Sequence, residues 1–340
     1  MSSRLDSKTQ IWRLAADLGL RASPSPSRSI RDLAIKRIKV IATKFQCTNL
    51  TTLLSAVAAE MGTTFVEIHS DDDLRRIQAE YVGKGEKAFA NLDDELRGAG
   101  DFAITIRRIR GEPWEPPFVS AIDCRGGKQY RSYFSKWHEL AHLLTLTPQM
   151  RLVFRRTHSE AAIHDPEEQL MDAIAADGGF LRDFIATHPD SAISFDRIQQ
   201  IKEECCPEAS TQAATIGIVK ALPLPCILVE AKLALRKHER VGMQQLALAI
   251  AEIAPSPVLR AVQVTVNEAA REAGVSFHRQ WRVPSSSVIA RVFAEGGPAK
   301  ATEDLSWWTT SDGSRLEPCA VVVEARKGWD SVQALLLPQI

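Results

Sequence analysis

The chain has 340 residues, carries 42 basic and 42 acidic side chains, and is 45% hydrophobic. Its net charge of zero excludes the overall electrostatic attraction to nucleic acid that a strongly basic protein would have. No apolar stretch reaches the roughly 18 residues that a membrane span needs, and residues 1–20 lack a signal-peptide pattern. We therefore expect a cytoplasmic protein of two domains, with no membrane partner.

The N-terminal region is locally basic although the whole chain is neutral. Residues 1–45 hold ten Lys or Arg and three Asp, a local net charge of +7. A short helical pattern runs from Ile11 to Leu18, and the Ser- and Pro-rich stretch 22–28 predicts a flexible linker. The basic side chains indicate either a DNA contact surface or a solvated helix face. The absence of a helix-turn-helix signature favours the solvated face.

The next hundred residues predict two amphipathic helices over 29–61 and a small sheet. Alternating apolar residues predict strands over three segments, 63–68, 102–110 and 118–124. Asp71–Asp73 lacks the spacing of a calcium loop and indicates a helix cap or a turn. By position alone, Val119–Cys124 is our candidate for an exposed strand edge that could hold an extended peptide.

The most specific pattern in the chain is His138-Glu139-Leu140-Ala141-His142, an HExxH motif in a segment that can be helical. Residues four apart share one face of a helix, so both imidazoles can bind one metal ion. Glu139 is then placed to take a proton from a water. The alternative is a surface helix that happens to carry two histidines.

A second predicted helix supplies carboxylates that could complete a metal site. Pro166 suits a first helical turn, and the acids beside it suit a helix N-terminus. Glu168 and Asp172 lie one turn apart on one face, so one could bind the metal while the other accepts a hydrogen bond from a histidine ring. The alternative is a solvated acidic face at the start of a helix.

The segment from Arg131 to about Leu228 resembles the ImmA/IrrE family of zinc metallopeptidases. The resemblance includes Arg131 and Phe134 before the motif, HELAH itself followed by two leucines, and the pattern E-x-x-x-D-x-x-A-A that starts at Glu168. The family usually ends this second helix in Leu-Leu-Met-Pro, whereas this chain has Gly178-Gly179-Phe-Leu. The two glycines could loosen the end of the helix beside the cleft.

The resemblance implies a zincin-like helical domain that binds one Zn²⁺ through His138, His142 and Glu168, although another divalent metal would also fit. With Glu168 as a metal ligand, Asp172 is left as the hydrogen-bond partner of a histidine ring, and Glu139 is the general base. His158 and His164 lie between the two helices, either as exposed loop histidines or as cleft residues that stabilise a developing oxyanion. The resemblance favours His158 for the catalytic role.

The resemblance also implies the substrate class and the nature of the C-terminal region. The expected substrate is a helix-turn-helix repressor, whose cleavage would release genes for stress response, mobile-element transfer or defence. The alternative is a metal-stabilised module that binds a repressor or DNA without cleaving it. The implied C-terminal domain is GAF-like and could receive a small ligand or a nucleic-acid signal.

The C-terminal third predicts a second α+β domain. A basic helix end over 232–240 and an apolar helix over 243–254 precede it, and strands are expected over 259–265, 319–324 and 332–337, with a helix over 286–293. Trp281, Trp307 and Trp308 could line a pocket, or could be core and surface aromatics. The expected domains are 1–28, a basic segment and linker; 29–240, the peptidase; and 241–340, a sensor.

The six cysteines contain no CxxC pair. Scattered cysteines in a chain without a signal peptide predict reduced thiols, mostly in the core, and do not indicate a cysteine zinc site.

Overall fold

The computed structural model describes residues 2–20, 24–98, 102–146, 165–187, 193–235, 256–310 and 313–339. The chain divides into two compact units, one formed by Met1–Phe184 with Lys202–Gly217 and the other by Ile185–Ile201 with Ile218–Ile340. Helices and strands occur in both, so the predicted α+β class is confirmed. The domain boundary expected after residue 240 and the helix expected over 243–254 lie outside the described residues.

The helices before residue 222 are amphipathic segments with recognisable start signals. Asn49 forms a reciprocal capping box with Thr52, Ser70 caps the helix that begins with three aspartates, and Pro26 occupies a first turn. In chain order these helices are α1 (Ser2–Asp17), α2 (Pro26–Lys44), α3 (Leu50–Met61), α4 (Asp71–Gly83), α5 (Leu92–Glu95), α6 (Ser132–Thr145), α7 (Pro166–Gly179), α8 (Arg182–Ile185), α9 (Phe195–Cys205) and α10 (Thr211–Ala221).

The first unit holds a three-stranded mixed sheet. Its strands are β1 (Thr63–Ile68), β2 (Ala103–Arg107) and β3 (Phe118–Asp123), in the order β1-β3-β2. β3 runs parallel to β1 and antiparallel to β2. One face, which includes Ile68, Ile104 and Val119, packs with residues of α4 and α5 into an apolar core. The strand period of two places the polar residues of these strands on the opposite face, where α6 contacts β2 and β3.

The expectation that Val119–Cys124 forms an exposed edge is wrong. β3 is the central strand, hydrogen-bonded on both sides, and all six of its residues are buried. A strand covered on both faces has mostly apolar or small residues, which is the pattern of Phe118–Ile122. Among the strands that the structure describes, β1 and β2 are the end strands of this sheet.

The expectation that Gly178 and Gly179 loosen the end of α7 is also wrong. Both glycines are helical and buried. A Cβ atom on Gly178 would lie 2.9 Å from Cδ1 of Ile38 and 3.0 Å from the Trp137 ring. Tyr133 donates a hydrogen bond of 2.6 Å to the carbonyl of Gly179. The glycines therefore allow α7 to pack closely against α2 and α6, the helix that carries the HExxH motif.

The second unit contains a five-stranded antiparallel sheet, and three of its strands agree with the sequence prediction within two or three residues. The strand Ala299–Asp304 was not predicted, because its residues are mostly charged or small. The elements of this unit are β4 (Ile227–Ala234), β5 (Val258–Val266), α11 (Glu268–Glu272), α12 (Val288–Glu295), β6 (Ala299–Asp304), β7 (Ala320–Lys327) and β8 (Val332–Pro338). The strand order is β5-β4-β8-β7-β6.

Two further expectations for this unit are settled by the structure. Lys232 belongs to β4 and not to a basic helix, while residues 236–240 lie outside the described residues. Trp281 and Trp308 are core residues that pack on Phe277, with ring centroids 5.0 and 4.7 Å away, and Trp307 is 44% exposed. The three tryptophans are therefore core and surface aromatics.

All six cysteines are free thiols, and four of them are buried, as the sequence predicts. No helix within the described part of the chain is long and apolar enough to cross a bilayer.

Candidate metal centre

Helix α6 places the HExxH side chains in the interior of the first unit. His138 and His142 are nearly buried, with 9% and 8% of their surface exposed, and Glu139 is fully buried. The helix is anchored by Trp137, Leu140 and other apolar residues that are also buried. The 3.6-residue period then aims the two imidazoles at α7 and Glu139 at the sheet.

Helix α7 brings its acidic first turn to the same place. Asp165 caps the helix by accepting a hydrogen bond from the Glu167 backbone, and Pro166 stands at the first helical position. Glu168 lies in this first turn, where the helix dipole favours a negative charge. Its carboxylate is directed at the two histidines and is one-fifth exposed.

The three side chains present their ligand atoms at mutual distances that suit a tetrahedral metal ion. His138 Nε2 lies 3.2 Å from His142 Nε2 and 3.2 Å from Glu168 Oε2, and His142 Nε2 lies 3.5 Å from Glu168 Oε1. Ligands about 2.1 Å from a tetrahedral ion are about 3.4 Å apart. The geometry and the donor set therefore fit, and His138, His142 and Glu168 could hold a metal ion.

Asp172 controls the orientation of one imidazole. Its Oδ1 lies 2.8 Å from Nδ1 of His138. A carboxylate accepts a hydrogen bond, so the Nδ1–H donates to Asp172 and the lone pair of Nε2 faces the other two ligands. Asp172 therefore lies where the sequence predicts the partner of a histidine ring.

Glu139 accepts a hydrogen bond from a chain of buried hydroxyl groups on the sheet. Thr105 Oγ1 lies 2.7 Å from Glu139 Oε2 and 2.7 Å from Ser120 Oγ, which in turn lies 2.9 Å from Thr63 Oγ1. A carboxylate only accepts, and each hydroxyl has one hydrogen. Because Thr105 donates to Glu139, Ser120 donates to Thr105 and Thr63 to Ser120.

Sequence reasoning missed Thr105, Ser120 and Thr63. Each strand contributes one of them: Thr105 and Ser120 are directly opposite in β2 and β3, and Thr63 begins β1. The sequence signal that could have indicated them is a hydroxyl residue inside an otherwise apolar strand. The partner of these hydroxyls, however, depends on how α6 packs on the sheet, which no local pattern specifies.

Two predicted features remain: the structure does not test the loop histidines, and it weakens the DNA-contact interpretation of the basic N-terminal region. His158 and His164 lie outside the described residues, so the role expected for His158 stays a prediction. Several basic side chains of α2 contact other residues of the first unit: Arg31 pairs with Asp177, Lys39 with Asp183 and Lys44 with Glu60, and Arg37 donates to the carbonyl of Leu144. These contacts favour the solvated-face interpretation of the basic N-terminal region.

No protein-family model and no curated protein matches this chain. Among solved structures, one that resembles it is a Mycobacterium tuberculosis transcriptional regulator, at 12% identity and a TM-score of 0.41. The match covers 92% of this chain and 82% of the regulator. At that score the likeness carries no argument about the fold or function of this chain.

Proposed function

We propose that this protein is a metal-dependent endopeptidase of the ImmA/IrrE type that cleaves a partner protein, a helix-turn-helix repressor. The observation that carries the proposal is the triangle formed by His138 Nε2, His142 Nε2 and the Glu168 carboxylate, with edges of 3.2 to 3.5 Å. Glu139, next to His138 in the chain, is a buried carboxylate that a purely structural metal site would not need. A structural zinc site also normally has four protein ligands.

In this proposal His138, His142 and Glu168 hold a divalent ion, with zinc as the first candidate. The bound ion would lower the pKa of a water and polarise the substrate carbonyl. The chain supplies the proton transfers and the orientation. Glu139 accepts the proton from the attacking water and passes it to the leaving amine, which is general acid–base catalysis by one carboxylate.

The surroundings of Glu139 suit that task. The carboxylate is fully buried and would be costly to keep charged without a donor. Thr105 supplies such a donor to Oε2 at 2.7 Å. Thr105 is therefore a positioning residue: it holds the base and does not touch the substrate.

Glu139→Gln tests the peptidase proposal most directly. We expect the variant to bind the metal as the wild type does and to form no new peptide N-termini when incubated with a lysate that contains candidate repressors. Glu167→Gln, one residue before the ligand Glu168, is the matched control and should retain cleavage. Mass spectrometry of protein N-termini measures the products. Full cleavage by Glu139→Gln would refute the proposed role of Glu139.

The non-cleaving alternative gives a different result in the same experiment. If wild type with bound metal produces no new N-termini but still captures a repressor, the protein is a binding module. The basic N-terminal region was its main support, and three of those side chains pair with acids of the same unit. Truncation of residues 1–45 that leaves weak, salt-dependent DNA binding unchanged would remove that support.

A further inference from the structure

A second group of metal-binding side chains lies on the sheet and takes no part in the proposed catalytic centre. Glu67 and His69 are two residues apart at the end of β1, so both side chains are on the same face. Because β3 is parallel to β1 and Ile68 pairs with Asp123, Cys124 follows on the neighbouring strand beside His69. The Cys124 backbone N–H donates to the Ile68 carbonyl at 2.8 Å and fixes this register.

The ligand atoms of these three residues converge. A nitrogen of His69, a carboxylate oxygen of Glu67 and the sulfur of Cys124 all lie within 4.8 Å of one another. His69 Nε2 and Glu67 Oε2 are 3.1 Å apart, close to the spacing of about 3.4 Å between ligands of a tetrahedral ion. Cys124 is buried while the His69 side chain is 60% exposed, so the sulfur forms the floor and the imidazole borders solvent.

We propose that Glu67, His69 and Cys124 form a second binding site for a thiophilic divalent cation, with Zn²⁺ as the natural occupant. Sulfur, imidazole and carboxylate are the donors that Zn²⁺ combines in proteins, whereas Mg²⁺ and Ca²⁺ prefer oxygen alone. Three protein ligands leave the fourth position to solvent on the His69 side.

The charges around the group are compatible with metal binding. Burial opposes the charge of Glu67, but the hydrogen bonds and charges of Lys136 and His69 outweigh it and hold its pKa below the ordinary value. Lys136 contacts Oε1 of Glu67 at 2.7 Å, so Oε2 can bind the ion without displacing it. Cys124 is a buried thiol, and a bound metal would have to displace its proton to solvent.

Cobalt is the probe that separates this site from the catalytic centre. A thiolate bound to Co²⁺ gives a sulfur-to-metal charge-transfer band in the near ultraviolet, and the His138, His142 and Glu168 set contains no sulfur. The starting protein is full-length His142→Ala, in which the first centre is disabled. Titration with Co²⁺ should give this band at one equivalent.

Two variants and one control decide the assignment. His69→Ala and Cys124→Ser should each lose the band and the bound cobalt, while Cys319→Ser, at a half-buried cysteine of the other unit, should keep both. His69 is exposed, so its substitution leaves the fold intact, which circular dichroism checks. No band at saturating cobalt, or a band that survives Cys124→Ser, overturns the second site and leaves the proposed peptidase centre unaffected.

Discussion

At the residue scale, the buried polar side chains of the three-stranded sheet form hydrogen bonds with one another. Strands β2 and β3 and the first residue of β1 are buried, and a hydroxyl or charged group in such a place must have a partner. Thr63, Ser120 and Thr105 satisfy one another and end on Glu139. Three unremarkable hydroxyl residues thus become the support of the proposed base.

Thr105→Val tests this support. The variant removes a hydrogen-bond donor from a fully buried carboxylate, so we expect the free energy of unfolding to fall by about 1–3 kcal/mol. Thr63→Val removes only the far end of the chain, since Ser120 can still donate to Thr105, and should cost less. Urea unfolding measures both. An equal or larger loss in Thr63→Val would contradict the direction assigned to the hydroxyl chain.

Asp123 is a second residue whose buried charge has a structural role. Its side chain is 1% exposed and accepts hydrogen bonds from Arg125 and Lys128. Burial raises its pKa, but these hydrogen bonds outweigh the burial and hold the pKa below the ordinary value. The stabilisation from Asp123 is therefore present above the ordinary aspartate pKa and disappears as the pH falls through the lower, folded-state pKa.

Asp123→Asn should lower the free energy of unfolding by about 2–4 kcal/mol near neutral pH, because it leaves Arg125 and Lys128 without their shared partner. The difference from the wild type should shrink in acid, below about pH 4. Asp72→Asn is the control, since Asp72 is 88% exposed and pairs with an exposed Arg75; it should cost less than about 0.5 kcal/mol. A difference that grows in acid would refute the sign of the shift.

The residues of the candidate centre differ in how far the sequence can specify them. His138 and His142 are four residues apart on one helix, so helical geometry alone places them together. Glu168 needed a second helix to pack alongside, and it was inferred from an N-terminal turn signal together with family resemblance. Thr105 comes from a strand whose register and contact with α6 exist only in the folded unit.

At the scale of elements, close packing of α7 depends on its two terminal glycines. Gly178→Ala places a methyl group 2.9 Å from Ile38 and 3.0 Å from Trp137, so we expect a loss of about 1–2 kcal/mol in the free energy of unfolding after the gain in helix propensity. Gly83→Ala, at the end of α4 with open space around it, should be neutral or stabilising. Equal stability of both variants would show that α7 does not approach α6 as described.

Strands were predicted well where apolar and polar residues alternate. They were predicted poorly where burial on both faces or a high content of charged residues removes that alternation. β1 was predicted with its bounds and β8 nearly so. β3 was found, but its burial on both faces was misread as an exposed edge, because a run of small and apolar residues does not report how many neighbours a strand has. β6, with Lys300, Glu303 and Asp304, has little apolar signal to detect.

At the scale of the whole molecule, the number of free thiols shows whether the protein is reduced or disulfide-bonded. All six thiols are free, and burial raises the pKa of Cys206 and Cys226 to about 12. We expect Ellman's reagent to titrate six thiols in denaturant without reductant.

In the native protein, the half-buried Cys47 and Cys319 should react first with the same reagent. Replacing both with serine should then remove the fast phase of the reaction. Fewer than six thiols in denaturant would contradict this account.

The central claim is that α6 and α7 together hold one metal ion. The most direct measurement is elemental analysis of zinc-supplied, desalted protein, carried out in a Cys124→Ser background so that the second group contributes nothing. We predict about one equivalent of zinc in this parent and in Glu167→Ala, and its loss in His142→Ala and Glu168→Ala. Zinc retained by Glu168→Ala, or no zinc in the parent protein, would contradict the centre and the peptidase proposed from it.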